Sequence, residues 1–320
     1  MEITTSPRRA AEAIAAGHLA ALPTETVYGL GAHADDQAAI AQVYAAKGRP
    51  GDHPLIVHVA NTDAIASWVT EIPEFAQRLA DRFWPGPLTL VLPRSARAKD
   101  FITGGQDSIA LRVPAHPMAL AVLKELIDIT NDATVGIAAP SANRFGHVSP
   151  TTAEHVIEEL SNFLTADDVI LDGGPCEVGV ESTIVDCTGL APVILRPGFI
   201  SQQNIEETTG LAVALHSQVR ASGTLESHYS PRAHVVLVNA TEIPREFKAK
   251  SGFIALDHIT TPSGLIRLAS PANVDGYASI LYSSLRAADA QALDTVYVVP
   301  PAGAGLAVAI RDRLTRAAHH

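Results

Sequence analysis

Cysteine is scarce in this sequence: its 320 residues hold two, Cys176 and Cys187. Two thiols build neither a disulfide framework nor a zinc site, so the expectation is a pair of buried thiols in a reducing compartment, the cytoplasm. Apolar runs are short, and none approaches the ~20 residues that a membrane-spanning helix needs. The opening stretch carries early arginines but no clean apolar segment and no small-residue exit, which argues against a signal peptide. Positive charge is in deficit, with 23 Lys and Arg against 34 Asp and Glu for a net charge of −11. Broad nucleic-acid binding needs a basic surface to displace counterions, so direct RNA binding is disfavoured, whereas a small basic pocket is not. The 13 histidines are scattered without an HExxH pattern, and neither a GxxxxGK[ST] loop nor a GxGxxG turn in a strand–helix setting occurs. No metal site built by side chains is expected. His319 and His320 are either native or the remnant of a purification tag, and take no part in the reading.

What the sequence does have is alternation. At 47% hydrophobic and 5% aromatic it fits an Ala- and Val-rich α/β protein, and its length favours two domains. Helical spacing predicts helices over 8–20, 36–47 and 116–127, and one through residue 160 with Thr151 and Thr152 as N-cap candidates. Short apolar segments between turn residues predict strands over 54–59, 88–92, 109–113, 135–139, 169–171, 182–186 and 193–195. The many Gly and Pro turns suggest a mixed twisted sheet with helices rather than a strict βαβ repeat. Composition then changes. Residues 201–210 are polar, and 217–232 have no apolar period and read as a linker or an ordered loop. Beyond them, strands over 234–238, 252–256, 265–268 and 295–299 alternate with helices over 242–250, 276–290 and 304–316. The expected organisation is an α/β domain over 1–210, a linker or lid over 211–232, and a small Rossmann-like α/β domain over 233–320.

The densest chemistry lies in PTETVYGLGAHADDQAAIAQVYAAKGRPGDHPLIVHV. Lys47 and Arg49 follow its helix almost side by side. A lysine point charge beside a bidentate arginine fork suits phosphate or carboxylate. Cations that complement a helix C-terminus are commoner and, for this pair alone, the stronger reading. Ser141 and Asn143 end an apolar strand in AAPSAN, where a hydroxyl and an amide hold phosphate oxygens or a base edge, or simply close an Asx turn. Ser149-Pro150-Thr151 opens a helix whose free N–H groups suit an anion and whose simplest role is capping. Arg112 and Arg196 end the apolar strands IALR and VILR, either as ordinary surface arginines or as caps on a sheet edge where a ligand binds. The glycines of 172–174 need do no more than turn the chain. His228-Tyr229-Ser230-Pro231 is a lid over a pocket or a solvated linker. Trp84 reads as core, and Asp35-Asp36 as a helix N-cap pair rather than a metal site.

Each signal is weak; their order is not. PTETVYGLGA, KGRP, PLIVHV, FWPGPLTLVL, AAPSAN, SPT, GVESTIVD and ILRPG, in that sequence over about 14–200, closely resemble the YrdC-like L-threonylcarbamoyladenylate synthases. The later HYSP element and the small α/β unit resemble the long, two-domain form of that family. The resemblance implies a three-layer fold with a mixed twisted sheet around a concave, positive pocket. It implies a nucleotidyltransferase that condenses L-threonine, bicarbonate and ATP into threonylcarbamoyl-AMP and pyrophosphate. The adenylate then feeds a tRNA threonylcarbamoyl transferase complex that modifies the adenosine beside the anticodon.

By position the resemblance implies Lys47, Arg49, Ser141 and Asn143 on the nucleotide phosphates, with Lys47 and Arg49 catalytic. It adds Ser108, Ser149 and Arg196 as nucleotide contacts, and Tyr229 in a segment closing over ATP. Thr26, His58, Arg112, Ser182 and the backbone of Ala139 fall where the family holds threonine. His53 precedes Pro54 where many members read RPxxNP, and stands in for that nucleotide contact. The linker reads SGTLESHYSP where others carry an SPGM-type form. Mg²⁺ is expected, held mainly by ATP phosphates. A carbamoyl transferase of hydrogenase maturation shares the core but carries zinc-finger cysteines and an acylphosphatase segment, which this sequence lacks. An RNA- or ribosome-associated binding module is the other alternative, and the net charge opposes it.

Overall fold

The computed structural model describes residues 1–223, 228–241, 243, 244 and 246–319. Its first ten strands form one sheet: β1 (Glu2–Thr4), β2 (Ala20–Leu22), β3 (Gly29–His33), β4 (Ile56–His58), β5 (Leu88–Pro93), β6 (Ser108–Arg112), β7 (Ile137–Ala138), β8 (Val169–Leu171), β9 (Thr183–Asp186) and β10 (Val193–Arg196). They lie in the order β1-β8-β2-β3-β7-β4-β6-β5-β9-β10. Pairing is parallel for β1–β8, β2–β8, β4–β6 and β5–β9, and antiparallel between the other neighbours. Helices α1 (Pro7–Ala15), α2 (Gln37–Lys47), α3 (Glu74–Phe83), α4 (Asp100–Thr103), α5 (Pro117–Thr130), α6 (Ala153–Leu160) and α7 (Gln202–Thr209) connect them.

Local chemistry starts and stops these helices. Side chains of Ser6, Asp36, His116, Thr152 and Ser201 accept hydrogen bonds from first-turn N–H groups that have no intrahelical partner. Gly48, at φ 63°, ends α2 in the left-handed conformation and so aims the chain from Lys47 to Arg49 out of the helix.

Alternation along the strands sends neighbouring residues to opposite faces. Ala21, Ile170, Ala138, Val57 and Leu90 join a large core beneath α2, α3 and α6, while Ala20, Leu22, Ile137, Val169 and Leu171 pack under α1 and α5. That makes three layers. The second sheet is wholly parallel: β11 (His234–Leu237), β12 (Ser251–Ile254), β13 (Ile266–Ala269) and β14 (Thr295–Val298), in the order β11-β14-β12-β13. Helices α8 (Val274–Ala290) and α9 (Leu306–Ala318) bury one of its faces, and Ile243, Phe247, Ile259 and Leu265 cover the other.

Several expectations need correction. The helix expected over 8–20 stops at Ala15, because Gly17 turns left-handed at φ 83° and Ala20–Leu22 become strand β2. The helix expected over 242–250 is not helical at its described residues, Glu242 and Arg245 lying outside them. Pro244 removes a donor and restricts the residue before it. The polar stretch 201–210 holds α7, started by a capping box between Ser201 and Asn204. Both cysteines are buried and free, and no helix among the described residues is long and apolar enough to cross a membrane.

Candidate active site

Helices cover only half of one sheet face. The cover of α1 and α5 ends near β7, and on the same face β4, β6, β5 and β9 present Ile56, Ala110, Val91 and Ile184 to Val219 and Ala221 of the linker. A cleft opens where the helical cover stops. His58 and Arg112 stand side by side there because they are register partners on β4 and β6. The guanidinium of Arg112 is held by Glu25 Oε1 at 2.7 Å, Thr26 Oγ1 at 3.0 Å and the Gly86 carbonyl at 3.2 Å. Burial, and then the charge of Arg112, push the His58 imidazole down to about 3. It is neutral, and its buried Nδ1 has no partner. The Ser182 hydroxyl lies 2.8 Å from that of Thr89 in the strand alongside.

Three more cations approach from the other side. Lys47, on the last turn of α2, donates from Nζ to the carbonyls of Ser141 and Asn143, each at 2.5 Å. Burial, with Arg49 nearby, holds its pKa well below the usual lysine range. An ammonium has three N–H donors, so one remains for a ligand. Arg49 donates to the Pro54 carbonyl at 2.9 Å and to Ser222 Oγ at 3.3 Å, and its buried Nε has no partner. Burial lowers its pKa to about 10, so it keeps its charge. Arg196 donates to the Ser182 carbonyl at 3.0 Å and to the Ser222 carbonyl at 3.0 Å. A Cβ on Gly198 would meet Thr183 N at 2.3 Å, so only glycine lets the turn after Arg196 lie against 181–183.

Asn143 takes up the turn reading of its motif. Its Nδ2 closes the turn by donating to the carbonyls of Arg144 and His147, while its buried Oδ1 is left without a partner. The HYSP segment is packed rather than solvated: Tyr229 is 1% exposed and His228 is 6% exposed. Burial takes the His228 imidazole down to about 3 and the Tyr229 phenol up. Tyr229 holds φ at 61°, a strain of about 1–3 kcal/mol of the kind that gathers at functional sites. Linker residues 224–227 lie outside the described residues.

One cleft thus gathers Thr26, Lys47, Arg49, His58, Arg112, Ala139, Ser141, Asn143, Ser182, Arg196 and Tyr229. Three expected residues do not line it. The His53 ring sits 5.3 Å from that of Phe145, Ser108 lines an adjoining apolar recess with Ile56 and Val91, and Ser149 donates to Glu181 at 2.6 Å. Sequence reasoning missed Glu181, Ser222 and Phe145 as lining residues, and named His228 only as part of the lid segment. Glu181 had a signal, an acid set between Val180 and Ser182 at the entry to a buried strand. Ser222 had none, because its contacts exist only once the linker folds back. Among the described residues, no group of three or more His, Cys, Asp or Glu is placed to hold a metal.

Comparison with known proteins places the chain in a family. The model for Sua5, YciO and YrdC proteins, described as "Telomere recombination", matches residues 12–198, and that of the threonylcarbamoyl-AMP synthase C-terminal domain matches 200–319. The sequence is 39% identical to the threonylcarbamoyl-AMP synthase of Pyrococcus abyssi, covering 97% of this chain and 93% of that protein. It is 35% identical to that of Bacillus subtilis, covering 99% and 95%. The fold superposes on a crystal structure of P. abyssi Sua5 complexed with L-threonine at a TM-score of 0.84 and 38% identity, over 98% of this chain and 94% of that one.

Proposed function

The chain belongs to the threonylcarbamoyl-AMP synthase family, and from that premise we propose how its cleft makes the product. The protein is a nucleotidyltransferase that joins L-threonine, bicarbonate and ATP into threonylcarbamoyl-AMP and pyrophosphate for tRNA modification. In our reading, threonine binds beside Arg112, His58, Thr26 and Ser182, and the triphosphate binds on Lys47, Arg49 and Arg196, with Ser141 beside them and the open Asn143 Oδ1 accepting from a donor group of the nucleotide. The observation that carries the second half is Ser222. Its hydroxyl and carbonyl oxygens, held by Arg49 and Arg196, stand in for two phosphate oxygens, so ATP displaces the linker as it enters.

Two anions must meet, and opposed cations bring them together. His58, being neutral, accepts a hydrogen bond from the substrate without adding a like charge beside Arg112. The threonine amine attacks the bicarbonate carbon, forming the N–C bond as water leaves. A carbamate oxygen then attacks the α-phosphorus, and the bond to the β-phosphate breaks with pyrophosphate departing. No covalent intermediate on the protein is required, so positioning and charge stabilisation carry the rate. Tyr229 and its segment exclude water from a labile carbamate and mixed anhydride. The carboxylate that lines the cleft, Glu181, is already engaged by Ser149, Tyr282 and Arg313, and Glu25 behind the cleft is engaged by Arg112. This suits an Mg²⁺ that arrives on ATP phosphates, where it neutralises their charge. The proposal extends to a larger catalytic domain, a linker acting as lid and a smaller C-terminal domain, in a cytoplasmic protein that passes its adenylate to a tRNA threonylcarbamoyl transferase complex.

Incubation with ATP, threonine and bicarbonate, followed by chromatography, should yield pyrophosphate and the adenylate. If neither rises above a no-enzyme control, the reading is wrong.

A further inference from the structure

The helices of the parallel-sheet unit reach the cleft at one carboxylate. Glu181 Oε2 accepts from the Tyr282 hydroxyl of α8 at 2.8 Å and from Arg313 Nε of α9 at 2.9 Å. Its other oxygen accepts from Ser149 at 2.6 Å. All four groups are buried, Arg313 to 1% exposure. Burial alone would raise the carboxyl pKa, but Arg313 and Arg196 outweigh it and bring it down to about 2. The next residue, Ser182, holds the Arg196 guanidinium with both its carbonyl and its hydroxyl. A short path therefore runs from two helices of the second unit, through one peptide, to a cation of the phosphate side.

The backbone is anchored along the same path. Gly179, at φ +76°, lies so close to α8 that a Cβ would meet the Ala278 carbonyl at 2.4 Å. Val180, Val148 and Val27, which neighbour Glu181, Ser149 and Thr26, are built into the core formed by Tyr277, Leu281 and Leu285. Arg286 of α8 donates to the Val148 carbonyl and pairs with Glu159 at 3.1 Å, and Glu159 accepts from the Arg144 N–H just beyond Asn143. By contrast, the polar partners of Arg112 all come from the first unit, namely Glu25, Thr26 and Gly86.

We propose that the C-terminal unit is the rear wall of the nucleotide half of the cleft, with Glu181 as a positioning residue that Tyr282 and Arg313 clamp to set Ser182 and Arg196 for ATP. This rests on the reading that Arg196 faces the triphosphate. It gives the second unit a task inside the reaction without a ligand of its own. Removing the clamp lets Arg196 move and so weakens ATP, while Arg112 keeps its own supports for threonine.

The test uses the full chain, with ATP affinity measured by calorimetric titration and turnover by pyrophosphate release. Tyr282→Phe deletes one hydroxyl and keeps the ring; Arg313→Gln deletes the cation. Each should weaken ATP about fivefold or more, the lower end of an ordinary site-to-site coupling, in KM and in the calorimetric Kd alike, with the threonine KM changed less than about twofold. The thermal midpoint of Tyr282→Phe should stay near that of the parent. Unaltered ATP affinity in Tyr282→Phe overturns the proposal, even should Arg313→Gln fail to fold. Equal losses for ATP and threonine also overturn it, because a brace of the whole fold loosens both. A parent protein that makes no adenylate would sink the synthase reading instead, while the ATP titration would still judge the clamp.

Discussion

The carboxyl ends of the parallel strands and the cleft beside the mixed sheet treat their polar atoms in opposite ways. In the parallel unit, Arg267 of β13 donates from Nε to the Ala269 carbonyl and from its two terminal nitrogens to the carbonyls of Ile259, Ala255 and Leu256. Those carbonyls lie at and beyond the carboxyl ends of β12 and β13, the edge where an open parallel sheet usually takes its ligand. Arg311 likewise ties down the glycine-rich turn before α9 by donating to the carbonyls of Pro301 and Gly303. In the cleft beside the mixed sheet three polar atoms are left open: Arg49 Nε, His58 Nδ1 and Asn143 Oδ1 are buried with no partner. Buried polar groups that lack partners call for an explanation, and a ligand is one. A binding architecture does not make a site; unsatisfied atoms in its cleft do.

Arg49→Ala should give the largest effect. Pyrophosphate release should drop roughly 10²–10³-fold, as for loss of one preorganised charge-stabilising group, with an unchanged circular dichroism spectrum. Near-normal turnover would return Arg49 to the role of a helix-end cation. Arg267→Met should do the opposite, lowering stability by about 1–3 kcal/mol as its carbonyl partners lose their donor, with KM for ATP and threonine unmoved. A shift in either KM would break the contrast between the two sheets. A further effect is in acid. His58 and His228, held down to about 3, stay neutral in the fold while the unfolded chain takes up protons below about pH 6.5. Stability should therefore fall as pH drops below that point, by about 1.4 kcal/mol per pH unit for each histidine. Denaturant unfolding at pH 7, 6 and 5 reads the slope, and His58→Gln should flatten it. An equal slope in parent and variant would show that His58 takes up its proton in the folded state.

Strands β4 to β14 were legible because each is a short apolar run between turn residues, and 169–171 coincides with β8. Lys47 at the end of α2 was legible as position but not as contact. Its partners, the carbonyls of Ser141 and Asn143, meet it only through the order of strands in the sheet. Helix α7 escaped notice because only Ile205 and Thr209 are buried, too few to mark a stripe. Helix α3 has such a stripe, Phe75, Ala76, Leu79 and Ala80, so there the pattern was present and passed over. The clamp on Glu181 could not be read at all. Tyr282 and Arg313 follow it by 101 and 132 residues, and neither sits in a motif that would link it to an acid so far upstream.

The strand order also sets a timetable for synthesis. Glu2 of the edge strand β1 pairs with Val169, and Leu88 of β5 with Thr183. At the usual pace of translation, on the order of ten residues per second, β1 waits many seconds for its partner to leave the ribosome. The sheet cannot close before β8 and β9 emerge, and Glu181 cannot be clamped before Arg313 does. During that interval the half-built sheet exposes unpaired edges and apolar faces, which makes the nascent chain a natural client for chaperones.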